Sequence, residues 1–399
     1  MNYLARARTL IPSACQTYSK SPTRYPKGAP DHVTKAYGAY VYDASGNPWL
    51  DCVSGLGSVI LGHHDSDVDA AIAKQLSRGI SFPLPTELEY ELARRIVDYI
   101  PSAGMVRFCK NGADSCAAAV RIARAVTGRP FIASIGYHGY HDWTIARQNP
   151  RGVPSHNAGY LTVLDYGDLA QLKFELAERQ YACVAMEPVV AQYPVSPPPG
   201  YLEAIRTLCT ATDTILIFDE VVTFGRILEG SAQRYFNVIP DITALGKCLG
   251  NGMPLNAVVG RADLMRTLDE GVFFSTTHGG EALSLAAGIA TLDKLVRENV
   301  PATLNVMGCR LIKSWRDMAY DLEATGQVEL LGYPSRLVWK WADPDDAARF
   351  GEALVAEHVL SQGYLNLTLA FGEDELQKLE RAWARGVKAV LDGGLRSAA

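Results

Sequence analysis

The stretch ILIFDEV at residues 215–221 is a short apolar run that ends in two carboxylates. A second run, DITALGK at residues 241–247, ends in glycine and lysine. Short and almost continuously apolar runs are typical of strands that are buried on both faces of a sheet. Asp219 and Lys247 therefore each stand at the C-terminal end of a predicted buried strand.

The middle of the chain repeats this pattern, with helix-like segments between the apolar runs. The other predicted strands are residues 106–109, 131–135 and 183–186, and the predicted helices are residues 114–126 and 201–210. The first helix places Ala119, Ile122, Ala123 and Val126 on one face, and Gly128 is a stop signal. Buried strands that alternate with helices predict an α/β fold with a mostly parallel sheet covered by helices.

Polar residues follow all five predicted strands. In open α/β sheets the functional site lies outside the carboxyl ends of the strands. The residues found there are Asn111, Tyr137, Glu187, Asp219 and Lys247. The sequence therefore predicts that these side chains share one edge of the sheet.

The two ends of the chain differ from the middle. Residues 39–51 carry two apolar segments around an Asn/Gly/Pro turn, which predicts a hairpin. Near the C-terminus, helices are predicted over residues 310–322 and 374–391, and strands over 337–341 and 365–369. We expect a small domain made of residues 1–55 and 305–399, and a large domain of residues 56–304.

Composition excludes several classes of protein. The formal net charge is −5, without long runs of one sign, so we expect neither nucleic acid nor a membrane as a partner. No apolar stretch is long enough to span a bilayer, and the N-terminus lacks a signal-peptide pattern. The eight cysteines are scattered, which suggests reduced thiols and a cytoplasmic protein. No histidine or cysteine cluster has metal-ligand spacing, so no metal is expected.

A set of short motifs carries a family resemblance over nearly the whole chain. These motifs are LGH at 61–63, KNGAD at 110–114, TGR at 127–129, YHG at 137–139, EPV at 187–189, DEV at 219–221 and LGK at 245–247. Their joint order and spacing resemble class III (subgroup II) aminotransferases of fold type I, which depend on pyridoxal 5'-phosphate (PLP). The resemblance is greatest to glutamate-1-semialdehyde 2,1-aminomutase-like proteins.

The resemblance implies a role for each residue around the cofactor. Lys247 would hold PLP as a Schiff base, and its freed amine would then carry a proton between substrate and cofactor. Asp219 would accept a hydrogen bond from the ring nitrogen and keep the ring an electron sink. Val221 and Tyr137 would cover the two ring faces, and the same motifs add His138 and Glu187 to the cofactor-binding set. Without the family motifs, a solvated lysine and an ordinary core tyrosine would be the simpler interpretations.

The cofactor phosphate is expected at the N-terminus of the helix that follows Asn111. Free backbone N–H groups and the helix dipole make such an end an anion site. The donors would be the amides of Gly112 and Ala113 and the side chain of Asn111. The relatives carry serine-glycine-threonine here, so side-chain donors are lost or changed. The resemblance also implies that Thr277 of a partner subunit reaches the phosphate, which predicts a homodimer with shared active sites.

Substrate recognition is less well marked. Arg24, in the motif SPTR, resembles an arginine that binds a substrate carboxylate in aminomutase-like proteins. Glu281 and Arg336 are further candidates for substrate contact. For Arg24, a solvated loop position is an equally simple interpretation, and for Arg336 a surface position is the favoured one.

Three functions are compatible with these motifs. An aminotransferase moves an amino group between an amino donor and a carbonyl acceptor, and we favour this reading. An aminomutase would use the same residues for intramolecular transfer and keep its intermediate. A non-catalytic binding protein of the same fold is the third possibility, and the paired Lys247 and Asp219 argue against it.

Overall fold

The computed structural model describes residues 3–178 and 180–397 and divides the chain into two compact units. One unit is drawn from both ends of the chain, up to Asp65 and from Ala302 onward. The other is Ser66–Pro301. In the described ranges, no helix is long and apolar enough to cross a membrane.

The regular elements are numbered in chain order. The strands are β1 (Val33–Tyr37), β2 (Tyr40–Asp43), β3 (Pro48–Asp51), β4 (Met105–Cys109), β5 (Phe131–Ile135), β6 (Leu161–Val163), β7 (Tyr181–Met186), β8 (Ile215–Asp219), β9 (Ile242–Leu245), β10 (Asn256–Gly260), β11 (Val328–Tyr333), β12 (Arg336–Trp341), β13 (Val359–Leu360) and β14 (Tyr364–Asn366). The helices are α1 (Tyr3–Ala7), α2 (Ser54–Gly57), α3 (Ser66–Leu76), α4 (Glu87–Tyr99), α5 (Gly112–Thr127), α6 (Asp142–Ile145), α7 (Leu169–Glu178), α8 (Tyr201–Ala211), α9 (Ala232–Tyr235), α10 (Ala262–Met265), α11 (Ala282–Arg297), α12 (Val300–Asp321), α13 (Pro344–Ala356) and α14 (Glu373–Ser397).

A seven-stranded sheet forms the centre of the Ser66–Pro301 unit. Its strand order is β4-β10-β9-β8-β7-β5-β6. The pairs β9–β8, β8–β7, β7–β5 and β5–β6 are parallel, and only β10 runs against its neighbours. The predicted α/β fold with a mostly parallel sheet is confirmed. The sequence analysis missed β6 and β10, which are short runs without flanking motifs of their own.

Alternate residues of β8 pack on opposite faces of this sheet, because successive side chains of a strand point to opposite sides. Ile215 and Ile217 join a core with Ile122 and other residues of α5. Leu216 and Phe218 join a second core with residues of α8. Asp219 continues the odd-numbered positions, so the pattern directs it to the face that α5 covers.

Helix α5 begins two residues earlier and ends one residue later than predicted. Gly128 follows it with φ of 66°, in the left-handed region that suits a glycine at a helix end. Ala119, Ile122 and Ala123 are buried in the core, as expected. Val126 is 41% exposed, so its assignment to the core face was wrong. Val126 lies on the same side of the helix as Ala119, seven residues earlier, but this side is no longer fully covered at the last turn.

The unit built from both chain ends contains two small sheets, β1-β2-β3-β13 and β11-β12-β14. The predicted hairpin is present as β2 paired antiparallel with β3. Helix α12 begins ten residues before the predicted start at residue 310, and β14 ends at Asn366 rather than 369. Trp315, Trp339, Phe350 and Trp383 form an aromatic core beneath these elements.

Candidate active site

Five strand ends meet along one edge of the central sheet. Strands β4, β9, β8, β7 and β5 run in the same direction, so their C-terminal ends share that edge. The residues that follow them, in order across the edge, are Asn111, Lys247, Asp219, Glu187 and Tyr137. The structure thus places the five predicted residues at the same edge of the sheet, where these strands end.

Asp219 is a buried carboxylate with three donors. Its Oδ2 is 2.9 Å from His138 Nδ1 and 3.3 Å from Cys116 Sγ. Its Oδ1 accepts a hydrogen bond from the Val221 backbone N–H at 3.1 Å. Hydrogen bonds to both oxygens fix the rotation of a carboxylate. Asp219 is therefore held in one orientation at the end of β8.

His138 is the imidazole partner of Asp219. Its Nε2 lies 3.2 Å from the Ala185 carbonyl oxygen, which can only accept, and its Nδ1 faces the carboxylate. Each ring nitrogen thus faces an oxygen that can accept a hydrogen bond from it. Burial acts to lower the pKa of His138, but the hydrogen bond and charge of Asp219 raise it above its usual value. The sequence motif had indicated His138 without showing which group it contacts.

Lys247 lies in a constrained turn just after β9. Its backbone φ is 42°, in the left-handed region that costs a non-glycine residue about 1–2 kcal/mol. The preceding Gly246 leaves no room for a side chain, since a Cβ there would lie 1.9 Å from Asn256 Oδ1. A Cβ on Gly246 would also lie 3.3 Å from Val221. The turn therefore brings Lys247 beside the segment that follows Asp219.

The N-terminus of α5 also lies close to Val221. A Cβ on Gly112 would lie 3.1 Å from both Val221 methyl groups. Gly139 packs on Ala113, where a Cβ would approach the alanine methyl to 2.5 Å. The first backbone N–H groups of α5 have no acceptor within the helix, which is the general property of helix N-termini. Val221 is thus close both to the N-terminus of α5, where the phosphate is predicted, and to the turn that carries Lys247.

Asn111 precedes α5 in an extended conformation, and its side chain does not cap the helix. Its Nδ2 instead donates to Asp114 Oδ2 at 2.8 Å. His141 Nε2 lies 3.5 Å from the other oxygen of Asp114. Phosphate binding by the backbone N–H groups of Gly112 and Ala113 stays a prediction, and so does contact by Asn111.

Glu187 fixes the segment that carries Tyr137. Its Oε2 accepts from the Tyr137 backbone N–H at 3.0 Å, and its Oε1 accepts from the Ala191 N–H at 3.2 Å. Tyr137 itself is 51% exposed, and burial together with the charge of Asp219 raises its pKa. Glu187 thus positions a partly open aromatic ring near Asp219 without itself facing solvent.

Glu187 should make stability depend on pH. Burial, and then the charge of Asp219, raises the pKa of Glu187 to about 7 from 4.5. The folded protein holds the proton of the Glu187 carboxyl more tightly than the unfolded protein does. The stabilisation that this proton contributes is therefore full below pH 4.5 and is lost as pH rises through about 7. We expect the wild type to lose on the order of 2–3 kcal/mol relative to Glu187→Gln between pH 5 and 8. Denaturant unfolding of both proteins at the two pH values measures this; a constant difference would contradict it.

Thr277 and Glu281 line an open cavity of about 530 Å³ beside β4. Thr277 is exposed, whereas the neighbouring Thr276 Oγ1 is buried without a hydrogen-bond partner in the part of the chain described. Glu281 caps α11 by accepting from the Leu283 N–H, and it pairs with Lys110 Nζ at 3.2 Å. The cap and the ion pair occupy the carboxylate of Glu281, and its contact with substrate stays a prediction.

Arg24 and Arg336 belong to the unit formed by the chain ends, where the charges of both act on Tyr364. The Arg336 guanidinium lies 4.9 Å from the Tyr364 ring centroid, and its Nη1 donates to Asn366 Oδ1 at 2.5 Å. Arg24 packs over Tyr18 at 5.0 Å. Burial raises the pKa of Tyr364 to about 12, and the charges of both arginines act against that rise. The sequence motifs did not relate the two arginines, and their binding of a substrate stays a prediction.

The residues at the sheet edge fit PLP. The cofactor needs an amine for its aldehyde, an acid for its ring nitrogen and an anion site for its phosphate. Lys247, the buried Asp219 and the close approach of Gly112 to Val221 at the start of α5 offer these three features. The sequence analysis missed Cys116, because a cysteine on the buried face of a helix resembles any core residue.

Comparison with known proteins identifies the family. The family description that matches residues 25–334 is aminotransferase class-III. The chain belongs to this family. A curated relative, glutamate-1-semialdehyde 2,1-aminomutase of Methanothrix thermoacetophila, is 39% identical over 333 residues, which are 80% of this chain and 76% of the relative. Class-III aminotransferases are PLP-dependent enzymes, so the predicted family, enzyme class and cofactor are confirmed.

Solved structures agree on the fold. An ω-transaminase from Sphaerobacter thermophilus matches with a TM-score of 0.89 at 26% identity, and 97% of each chain is covered. A glutamate-1-semialdehyde aminomutase from Pseudomonas aeruginosa PAO1 matches with a TM-score of 0.88 at 21% identity, covering 97% of this chain and 94% of the other. The chain is thus similar both to transaminases and to an aminomutase, and it shares their fold.

Proposed function

We propose that the protein is an aminotransferase in which Lys247 binds PLP covalently and an amino group moves from an amino donor to a carbonyl acceptor. The buried Asp219 carboxylate carries this proposal, because it combines a histidine partner with a place beside the Lys247 turn. When bound, PLP supplies an aldehyde for the amine and an electron-withdrawing ring.

Each residue of the site has a role that its surroundings support. Lys247 Nζ would attach PLP and, when free, would act as the base for the proton on the α-carbon of the substrate. Asp219, held by His138, would accept a hydrogen bond from the ring nitrogen. Tyr137 and Val221 would lie against the ring, and the backbone N–H groups of Gly112 and Ala113 would hold the phosphate.

An aminomutase is the second candidate, because a 39% identical relative bears that name. Both reactions use the same lysine and aspartate, and they differ in whether the amino group leaves with a second substrate. The test is the stoichiometry of the products: purified enzyme is incubated with PLP and single amino donors, then with donor plus carbonyl acceptor. One keto product released per amine formed supports the aminotransferase. Turnover of a single substrate without a second product supports the aminomutase instead.

We further propose that the protein is a homodimer whose Thr277 serves the partner subunit's cofactor. Leu84 and Phe82 are 75% and 45% exposed, and both line the cavity that also contains Thr277. Apolar side chains gathered around an open cavity are typical of a surface that another protein covers. A second copy of the chain would cover them and carry its own Thr277 to the shared site.

Leu84→Asp should therefore convert the dimer to a monomer and weaken PLP binding. A charge placed in an apolar interface loses its hydration without gaining a partner. Light scattering coupled to size exclusion measures the mass, and titration with PLP measures the affinity. Phe174→Asp is the matched control, since Phe174 is also exposed, at 63%, but lies on α7 away from the cavity. A wild-type protein that is monomeric at assay concentrations would exclude shared active sites.

A further inference from the structure

Cys116 contributes a second side-chain donor to Asp219. It lies on α5, one turn beyond Gly112, and is only 4% exposed. Its Sγ is 3.3 Å from Asp219 Oδ2, the same oxygen that faces His138 Nδ1. Cys116 therefore connects the helix that would hold the phosphate to the carboxylate that would hold the ring nitrogen.

The sulfur carries a proton to donate. Burial, followed by the charge of Asp219, raises the pKa of Cys116 well above its usual value. A thiolate beside a buried carboxylate would bring together two like charges in a site of low dielectric constant. The contact is therefore an S–H donor with a carboxylate acceptor.

We propose that Cys116 is a positioning residue that holds the Asp219 carboxylate in the orientation in which it would meet the cofactor ring nitrogen. This inference rests on the proposed PLP chemistry. The thiol and His138 contact Oδ2, and the Val221 N–H contacts Oδ1, so the three contacts together fix the rotation of the carboxylate. Losing the thiol leaves His138 and the Val221 N–H as donors and holds the carboxylate less firmly in that orientation.

The first test compares side chains of different size and hydrogen-bonding capacity in the PLP-loaded enzyme. Cys116→Ala and Cys116→Val both lack the donor. Alanine leaves the volume of the thiol empty, whereas valine fills it. Each should lower kcat about 3–10-fold with little change in KM, since one hydrogen bond contributes about 1 kcal/mol. Cys116→Ser restores a donor and should recover kcat to within about 2-fold of wild type. Equal losses in all three variants would show a packing role and overturn the proposal.

The second test is a double-mutant cycle with Asp219→Asn. If Cys116 acts through the carboxylate, Cys116→Ala should change kcat less than about 2-fold in the Asp219→Asn background. A loss as large as in the wild-type background would overturn the proposal. Wild type that neither binds PLP nor transfers amino groups would instead refute the proposed function, so the two failures are distinguishable.

A metal site is the alternative explanation for the cluster of Cys116, His138 and Asp219, and the serine variant distinguishes it from a positioning role. Ligand atoms of Cys116, His138 and Asp219 lie within 4.8 Å of one another, a spacing at which they could hold a metal ion. Serine keeps the hydrogen bond but is a poor zinc ligand. Zinc bound stoichiometrically to the purified wild type and absent from Cys116→Ser would overturn the positioning role. Zinc-free protein with full activity supports it.

Discussion

Lys247→Ala is expected to lower amino-transfer activity by about 10⁴-fold, because one substitution removes both the covalent attachment and the base. The variant should also lose the visible absorption band that PLP gives when joined to a lysine. Borohydride reduction of the wild type followed by peptide mass spectrometry should locate the cofactor on Lys247. The strained backbone of Lys247 and the close packing around Gly246 single out this lysine by its geometry.

Lys313→Ala is the matched control for this experiment. Lys313 is 81% exposed on α12 and pairs with Asp317 one turn away. Its removal should leave the absorption band and the activity unchanged. An unchanged band in Lys247→Ala would mean that PLP attaches to another lysine, and the central assignment would be wrong.

Asp219→Asn is expected to reduce kcat on the order of 10²–10³-fold and to weaken PLP binding by less than about 10-fold. Asparagine keeps the shape of the side chain but not its negative charge. The charge matters most when electrons flow into the ring, so the transition state loses more than the bound ground state does. Steady-state kinetics and PLP titration separate the two effects. A variant that binds PLP poorly but retains wild-type kcat at saturation would contradict the ring-nitrogen role.

Asp241→Asn provides a comparison at the opposite end of the same sheet. Asp241 is as buried as Asp219, with 7% against 6% exposure, but it pairs with Arg206 and Arg261. Breaking these pairs should lower stability by about 2–3 kcal/mol and leave the kcat of the folded protein unchanged. Together the two variants show whether a buried aspartate in this sheet serves catalysis or stability.

The gathering of the site residues at one edge of the sheet followed from the sequence, but their order across that edge did not. Short apolar runs such as ILIFD, alternating with helix-like segments, indicate buried strands, and parallel strands bring their C-terminal ends to one edge. That argument placed Tyr137, Glu187, Asp219 and Lys247 together before any distance was known. It could not find β10, whose five residues resemble any short apolar segment.

The partners of each side chain depended on contacts between residues far apart in the chain. Asp219 meets Cys116 and His138 across 103 and 81 residues, and Glu281 meets Lys110 across 171. No local pattern encodes such pairs, since periodicity reports which face a residue takes and not what lies opposite. The assignment of Val126 to the core failed for the same reason, because burial depends on where the sheet ends.

The adjacent carboxylates Asp219 and Glu220 show what the sequence determines and what the tertiary structure decides. The sequence by itself determined that an acidic pair ends a buried strand, and the period of two in a strand sends neighbouring side chains to opposite faces. Only the tertiary structure decided their partners. Asp219 meets the thiol and the imidazole at the cofactor edge, whereas Glu220 accepts hydrogen bonds from Thr223 and Gln233. The physical reason is that a buried charge is defined by the donors that the fold brings to it.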